Sequence, residues 1–179
     1  AVEHDTMDTT FRSMYLGLSA FLDANTERRE LLLGQRPPRF DSSFDEAIAL
    51  TSDDFERVAL KAESARDYFL LVGPPGTGKT SRALRRMVEH FYAASSMQIL
   101  LLAYTNRAVD EICQSLSSIT PCIDYIRVGS ELSCDVRFRG HLLENILAEC
   151  NSRREVNIRM ADCRVYVGTV ASIAAKAEL

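Results

Sequence analysis

Lysine and threonine side by side at the end of a glycine-rich loop can grip a polyphosphate, and Lys79-Thr80 stand in that position. The run Gly73-Pro74-Pro75-Gly76-Thr77-Gly78-Lys79-Thr80 fits the phosphate-binding loop, with Gly73, Gly78, Lys79 and Thr80 at its four fixed places. Backbone N–H groups must curl around phosphate oxygens there, so side chains have to be absent where the chain comes closest; Gly76 and Gly78 allow it. Lys79 would bring a compact positive charge to the β- and γ-phosphates, and the Thr80 hydroxyl would be a ligand for Mg²⁺. A helix starting at this point, through Ser81, aims its positive dipole end at the same anion. The expected ligand is a nucleoside triphosphate, ATP with Mg²⁺. Its binding residues are Gly73, Pro74, Pro75, Gly76, Thr77, Gly78, Lys79, Thr80 and Ser81, of which Lys79 and Thr80 are the candidate catalytic pair.

A loop of this kind needs a strand before it and a helix after it. Asp67-Tyr-Phe-Leu-Leu-Val72 predicts a buried strand, rich in aromatic and aliphatic residues. Beyond the loop, Ala83, Leu84, Met87, Val88, Phe91 and Tyr92 fall on one face of a helix. Further along, Gln98–Ala103 predicts a second buried strand, followed by Tyr104-Thr105-Asn106 and a helix with Ala108, Val109, Ile112, Cys113 and Leu116 on one side. Tyr125–Val128 and Arg164–Gly168 predict two more strands, and Thr169 is placed to cap a closing helix. Strands alternating with helices predict a parallel sheet covered on both faces.

Residues 130–163 break that alternation. Leu142, Leu143, Ile146, Leu147 and Cys150 mark one helix, and Val156, Met160 and Cys163 a shorter one, so a helical insertion is expected at about 130–163. Seven arginines from Arg127 to Arg164 face six carboxylates, which reads as a mixed solvated surface. Upstream, residues 5–24 predict a helix with Phe11, Met14, Tyr15, Leu18, Phe21 and Leu22 on its apolar stripe. Asn25 or Thr26 would cap a second one, closed by Gly34. Arg36-Pro37-Pro38-Arg39-Phe40-Asp41-Ser42-Ser43 is the strongest linker signal, with Arg36 and Arg39 as solvated loop charges. The expected division is a helical segment and linker at 1–41, packing on a nucleotide-binding domain at 42–179. Thr51 or Ser52 would cap the helix that leads into the loop strand, with Asp53 and Asp54 in its first turn.

A net charge of −4 gives no domain-wide field that attracts nucleic acid. No apolar run approaches about 18 residues, so no span of a membrane is expected, and the N-terminus carries no secretory signal pattern. The five cysteines show no CxxC and no zinc spacing with the histidines, and they read as apolar side chains in a reducing setting, cytoplasmic or, in a eukaryote, nuclear.

Ile99–Ile112, and above all Ala103-Tyr104-Thr105-Asn106-Arg107-Ala108-Val109-Asp110, resembles motif Ia of superfamily 1 helicases, in the Upf-like group that includes the Dna-type nuclease-helicases. Tyr166-Val167-Gly168-Thr169-Val170-Ala171-Ser172 resembles that family's motif Ic, and Arg127-Val128-Gly129 its Arg-Leu-Gly element. The resemblance covers roughly residues 51–179. It implies a RecA-like P-loop fold and movement on single-stranded DNA or RNA driven by ATP hydrolysis. It puts Thr105, Asn106 and Thr169 on the nucleic-acid backbone. Each of the three also reads as a helix cap or first-turn residue, which needs no ligand.

Two parts of the family's pattern are missing. Thr51-Ser-Asp-Asp-Phe55 holds no glutamine where the family reads adenine. Hydrolysis also needs a carboxylate at a strand end to hold Mg²⁺ and another to activate water. Asp110-Glu111 lies inside an amphipathic helix, and no other pair stands in the right place. The chain is therefore expected to be the N-terminal part of a larger motor, binding nucleotide without turning it over, with the second RecA-like domain as partner. A different P-loop ATPase (AAA+ or kinase) and a non-hydrolysing regulatory module stand as alternatives.

Overall fold

A computed structural model describes residues 8–177. They form two compact units, one reaching Phe40 and taking in Ala65–Tyr68, the other made of Asp41–Ser64 and the chain from Phe69 onward. In the first unit, helix α1 runs over Asp8–Asp23; residues 5–7 of the expected helix lie outside the described residues. Phe11, Met14, Tyr15, Leu18 and Leu22 on its apolar stripe are each more than half exposed. Helix α2 (Thr26–Leu32) starts where Asn25 Oδ1 accepts from the Arg28 N–H at 2.8 Å. It stops at Gly34, whose φ of +70° is the left-handed conformation a helix end favours.

Arg36 and Arg39 are not free loop charges. Asp67, with 7% of its side chain exposed, takes Arg36 Nη1 at 2.9 Å, Arg39 Nη2 at 3.0 Å and the Arg39 backbone N–H at 2.8 Å. Proline-rich sequence reads as linker because nothing local holds it; here the holding group comes from 28 residues downstream of Arg39. The two guanidinium groups and the backbone N–H keep the Asp67 carboxyl well below the usual carboxylate range. A carboxylate with a depressed folded pKa stabilises the fold above its ordinary value of about 4 and loses that contribution as pH falls toward the folded value. Asp67→Asn should therefore lower the melting temperature at neutral pH, and the deficit should close on acidification below about pH 4. Thermal unfolding at several pH values measures this; a deficit unchanged at low pH would rule out the ion cluster as its cause.

The second unit opens with a single turn (Ser42–Phe44), helix α3 (Asp45–Leu50) and helix α4 (Asp54–Ser64). The cap of α4 is neither Thr51 nor Ser52. Asp53 Oδ1 accepts from the N–H of Phe55 at 2.8 Å and of Glu56 at 3.4 Å, because a carboxylate outcompetes a hydroxyl for N–H groups at the positive helix end. Helix α5 (Arg85–Ala94) follows the phosphate-loop turn and packs on α4.

The sheet consists of β1 (Ile99–Ala103), β2 (Tyr125–Val128) and β3 (Val165–Thr169), all parallel, in the order β1-β3-β2. Ala103 pairs with Thr169, and Val128 with Gly168, so the strands end together. Helix α6 (Asn106–Leu116) lays Val109, Ile112, Cys113 and Leu116 on one face, against Leu101, Tyr125, Val165 and Val167. Helices α7 (Leu143–Glu149) and α8 (Arg153–Asp162) bring Leu143, Ile146 and Met160 onto Ile126 and Tyr166 on the other. The helical pair expected at 130–163 is present, and it serves as the second cover of the sheet. Helix α9 (Val170–Ala177) follows β3. The architecture is the predicted α/β one, an incomplete RecA-like P-loop fold with a small parallel sheet.

The strand expected at 67–72 does not form. Phe69–Val72 has no regular secondary structure and pairs with none of the three strands, leaving Leu70 75% and Val72 92% exposed. A strand exists only through hydrogen bonds to a neighbour, and among the described residues no neighbour reaches this segment. The edge of β1 is open as well, with Leu100 and Leu102 about half exposed (51% and 45%).

Candidate functional site

Gly76 and Gly78 have φ of +78° and +82°, the region where a Cβ is strained, so both positions ask for glycine. At Gly73 an added Cβ would sit 3.2 Å from Thr77 Oγ1. The loop then enters a wide turn, Lys79–Leu84, in which the N–H groups of Arg82 and Ala83 both donate to Gly78 O, at 2.9 and 3.0 Å. Such wide turns are frequent at functional sites. Lys79 folds back over the loop: its Nζ donates to Gly73 O at 2.5 Å and Pro74 O at 2.6 Å, and Thr77 Oγ1 donates to Pro74 O at 2.9 Å. Gly73, Pro74 and Thr77 thus brace the loop from within.

Pro75, Gly76, Gly78, Lys79, Thr80 and Ser81 form one wall of a cleft of about 710 Å³, within the usual range of roughly 300–1,000 Å³ for ligand sites. The opposite wall holds residues that, Asp110 and Glu111 apart, the sequence did not single out for this purpose. Arg107, Asp110, Glu111, Gln114 and Ser115 come from α6, and Asp135 and Arg137 from the stretch between β2 and α7. The α6 residues lie three and four apart, on one helix face. Reading the polar face of α6 as closely as its apolar one would have found them. Nothing local announces Asp135 and Arg137. Arg137 donates to Asp135 at 2.9 and 3.1 Å and to Gln114 Oε1 at 2.7 Å, and its guanidinium holds the Asp135 carboxyl down to about 2.

Asp110 and Glu111 are on α6, inside the helix as expected. Asp110 Oδ1 is 2.9 Å from Arg127 Nη2, while Glu111 is 61% exposed and 3.9 Å from Arg107. The strands end in Ala103, Val128 and Thr169, none of them a carboxylate. At the start of α4, where no glutamine stands, Phe55 lies under the Arg82 guanidinium at 4.4 Å.

Thr105, Asn106 and Thr169 sit at the carboxyl ends of the adjacent strands β1 and β3, where open parallel sheets gather ligands. Thr105 is exposed and its Oγ1 accepts from the Ala108 N–H at 3.2 Å, capping α6. Asn106 is half-buried at the first position of that helix. Thr169 is only 6% exposed; its Oγ1 accepts from the Ser172 N–H at 3.0 Å and donates to Ser172 Oγ at 2.8 Å. Two of the three are thus caps.

The sequence profile of a family described as "AAA domain" matches residues 49–169, which includes the loop, the cleft and the strand ends. DNA replication ATP-dependent helicase/nuclease JHS1 of Arabidopsis thaliana is 33% identical over 138 residues, covering 71% of this chain and 10% of that protein. An uncharacterized ATP-dependent helicase of Methanocaldococcus jannaschii is 29% identical over 126 residues, 68% of this chain and 19% of its own length. RNA helicase Mov10l1 of mouse is 29% identical over 106 residues, 58% of this chain and 8% of its own. The chain thus spans at most 19% of the length of these relatives. Loop, cleft, strand ends and relatives agree: the chain belongs to the AAA-domain family, among the superfamily 1 helicases of the Upf-like and Dna-type group.

Proposed function

We propose that the chain is the ATP-binding part of a superfamily 1 DNA or RNA helicase or translocase, in which ATP binding and hydrolysis drive movement along a single strand. The observation that carries this reading is the meeting of Lys79 and Thr80 on one cleft, at the head of a helix and beyond two left-handed glycines. That arrangement supplies what a Mg-triphosphate needs first: N–H groups without Cβ atoms in the way, an ammonium and a hydroxyl. Thr80 is the one protein ligand that these residues would offer Mg²⁺. The names of the relatives favour a helicase over a kinase.

The single strand would run over the ends of β1 and β3. Thr105, through its exposed hydroxyl, and Asn106 would contact phosphates directly; Thr169, being buried, would act with the first N–H groups of α9. Hydroxyls, amides and helix N-termini hold phosphates without reading sequence. The unpaired segment Phe69–Val72 and the open edge of β1 favour the remainder of the motor, including a second RecA-like domain, as a further partner. Among the described residues no helix is long and apolar enough to cross a membrane; the cytoplasm, or the nucleus of a eukaryote, is the proposed setting.

Fluorescence anisotropy with a labelled single strand tests the nucleic-acid half. Thr105→Val with Thr169→Val should weaken binding about tenfold, the value of one or two hydrogen bonds to a charged group, and leave nucleotide affinity in place. Thr→Ser at both positions keeps hydroxyl and cap and should restore it. Unchanged affinity in the valine pair would reduce both residues to helix caps.

A further inference from the structure

Arg127 stands apart from the other arginines. It lies on β2 with 1% of its side chain exposed, among the apolar residues between the sheet and α6. Burying a guanidinium costs several kcal/mol unless its N–H groups are well met. They are not well met here. Nη2 donates to Ser133 O at 3.2 Å and lies 2.9 Å from Asp110 Oδ1, without an aligned hydrogen bond to it. Nε and Nη1 are buried with no hydrogen-bonding partner among the described residues. Asp67 shows how this fold treats an ion pair that serves stability: two guanidinium groups and a backbone N–H converge on it. Stability therefore does not explain Arg127.

Its partner does. Asp110 is 22% exposed and lines the cleft beside Lys79 and Thr80. The pair has a dry end on β2 and a wet end in the proposed nucleotide site. Three carboxylates face that cleft, Asp110, Glu111 and Asp135. A triphosphate brings more negative charge still. Arg137 already holds Asp135; among the described residues the ion pair of Asp110 is with Arg127.

We infer that Arg127 is a positioning residue of the nucleotide site, which neutralises Asp110 from behind and so keeps the cleft able to accept a polyphosphate. This rests on the reading of the cleft as the nucleotide site. It has a consequence that a purely structural ion pair does not share: the two partners act on affinity with opposite signs. Arg127→Met leaves a bare carboxylate toward the phosphates. Asp110→Asn removes that carboxylate and leaves the cleft more positive.

The experiment is titration of the full chain with a fluorescent ATP analogue and Mg²⁺, alongside thermal unfolding. Arg127→Met should weaken binding about tenfold and Asp110→Asn should tighten it about threefold, as expected for one unit charge acting through an effective dielectric of about 20. Asp110→Asn, which leaves the buried guanidinium without its charge partner, should melt lower than the wild type. The double variant should bind about threefold more weakly than wild type, between the two single variants, since both charges are gone. If Arg127→Met does not fold, the sign of the Asp110→Asn effect decides alone. Weaker binding in both single variants, in step with any loss of stability, would overturn the inference. So would unchanged affinity in Arg127→Met while Lys79→Ala loses binding. A folded wild type that shows no saturable binding at all would instead strike the nucleotide-site reading itself.

Discussion

Lys79→Ala should weaken Mg-nucleotide binding on the order of a hundredfold, the equivalent of about 3 kcal/mol for a lost charge-assisted contact to phosphate. The ammonium now bridges Gly73 O and Pro74 O. A phosphate entering the cleft would replace neutral carbonyl acceptors with charged ones, roughly twice as strong, so the exchange favours the bound state. Alanine removes the ammonium and with it both hydrogen bonds to the loop carbonyls. The loop would lose its inner brace as well as its cation, and its glycines would regain the freedom they gave up on folding. Titration of wild type and variant with a fluorescent ATP analogue measures this. Equal affinity would mean that nucleotide does not lie on this loop.

The second large effect is the absence of turnover by this chain on its own. Phosphoryl transfer depends almost wholly on positioning and charge stabilisation, and loss of one essential group costs about 10³-fold or more. In the proposed nucleotide site the cleft would supply the cradle, Lys79 and one hydroxyl, Thr80. A carboxylate for the metal and one for the water should stand at strand ends, and these strands end in Ala103, Val128 and Thr169. Asp110 is engaged by Arg127, and Glu111 points to solvent beside Arg107. The chain should therefore bind Mg-ATP and release phosphate only at background rate, whether or not a single strand is added. A strand-stimulated rate near the ordinary enzyme range of about 1 s⁻¹ would show that Asp110 or Glu111 reaches the metal after all. Asp110→Asn and Glu111→Gln would then separate the two.

What neighbouring residues enforce on each other can be read along the chain. The loop is legible because its chemistry is local: glycines where φ is positive, then Lys79 and Thr80 at a helix start. The same holds for the Asn25 and Thr105 caps and for the apolar face of α6, all of which span a few residues. Tertiary structure decided what depends on partners far away in the chain. Phe69–Val72 has the composition of a strand, but pairing requires a neighbour in register, and composition does not supply one. Arg36 and Arg39 read as free until Asp67 closes on them from 28 residues or more away. Asp135 and Arg137 enter the cleft only because the stretch after β2 folds back beside α6. Arg127 sits in a strand between apolar residues, and only the packing of α6 on the sheet puts Asp110 against it. Local propensity and capping are fixed within a helical turn, whereas a charge pair across the core is fixed by the fold that buries it.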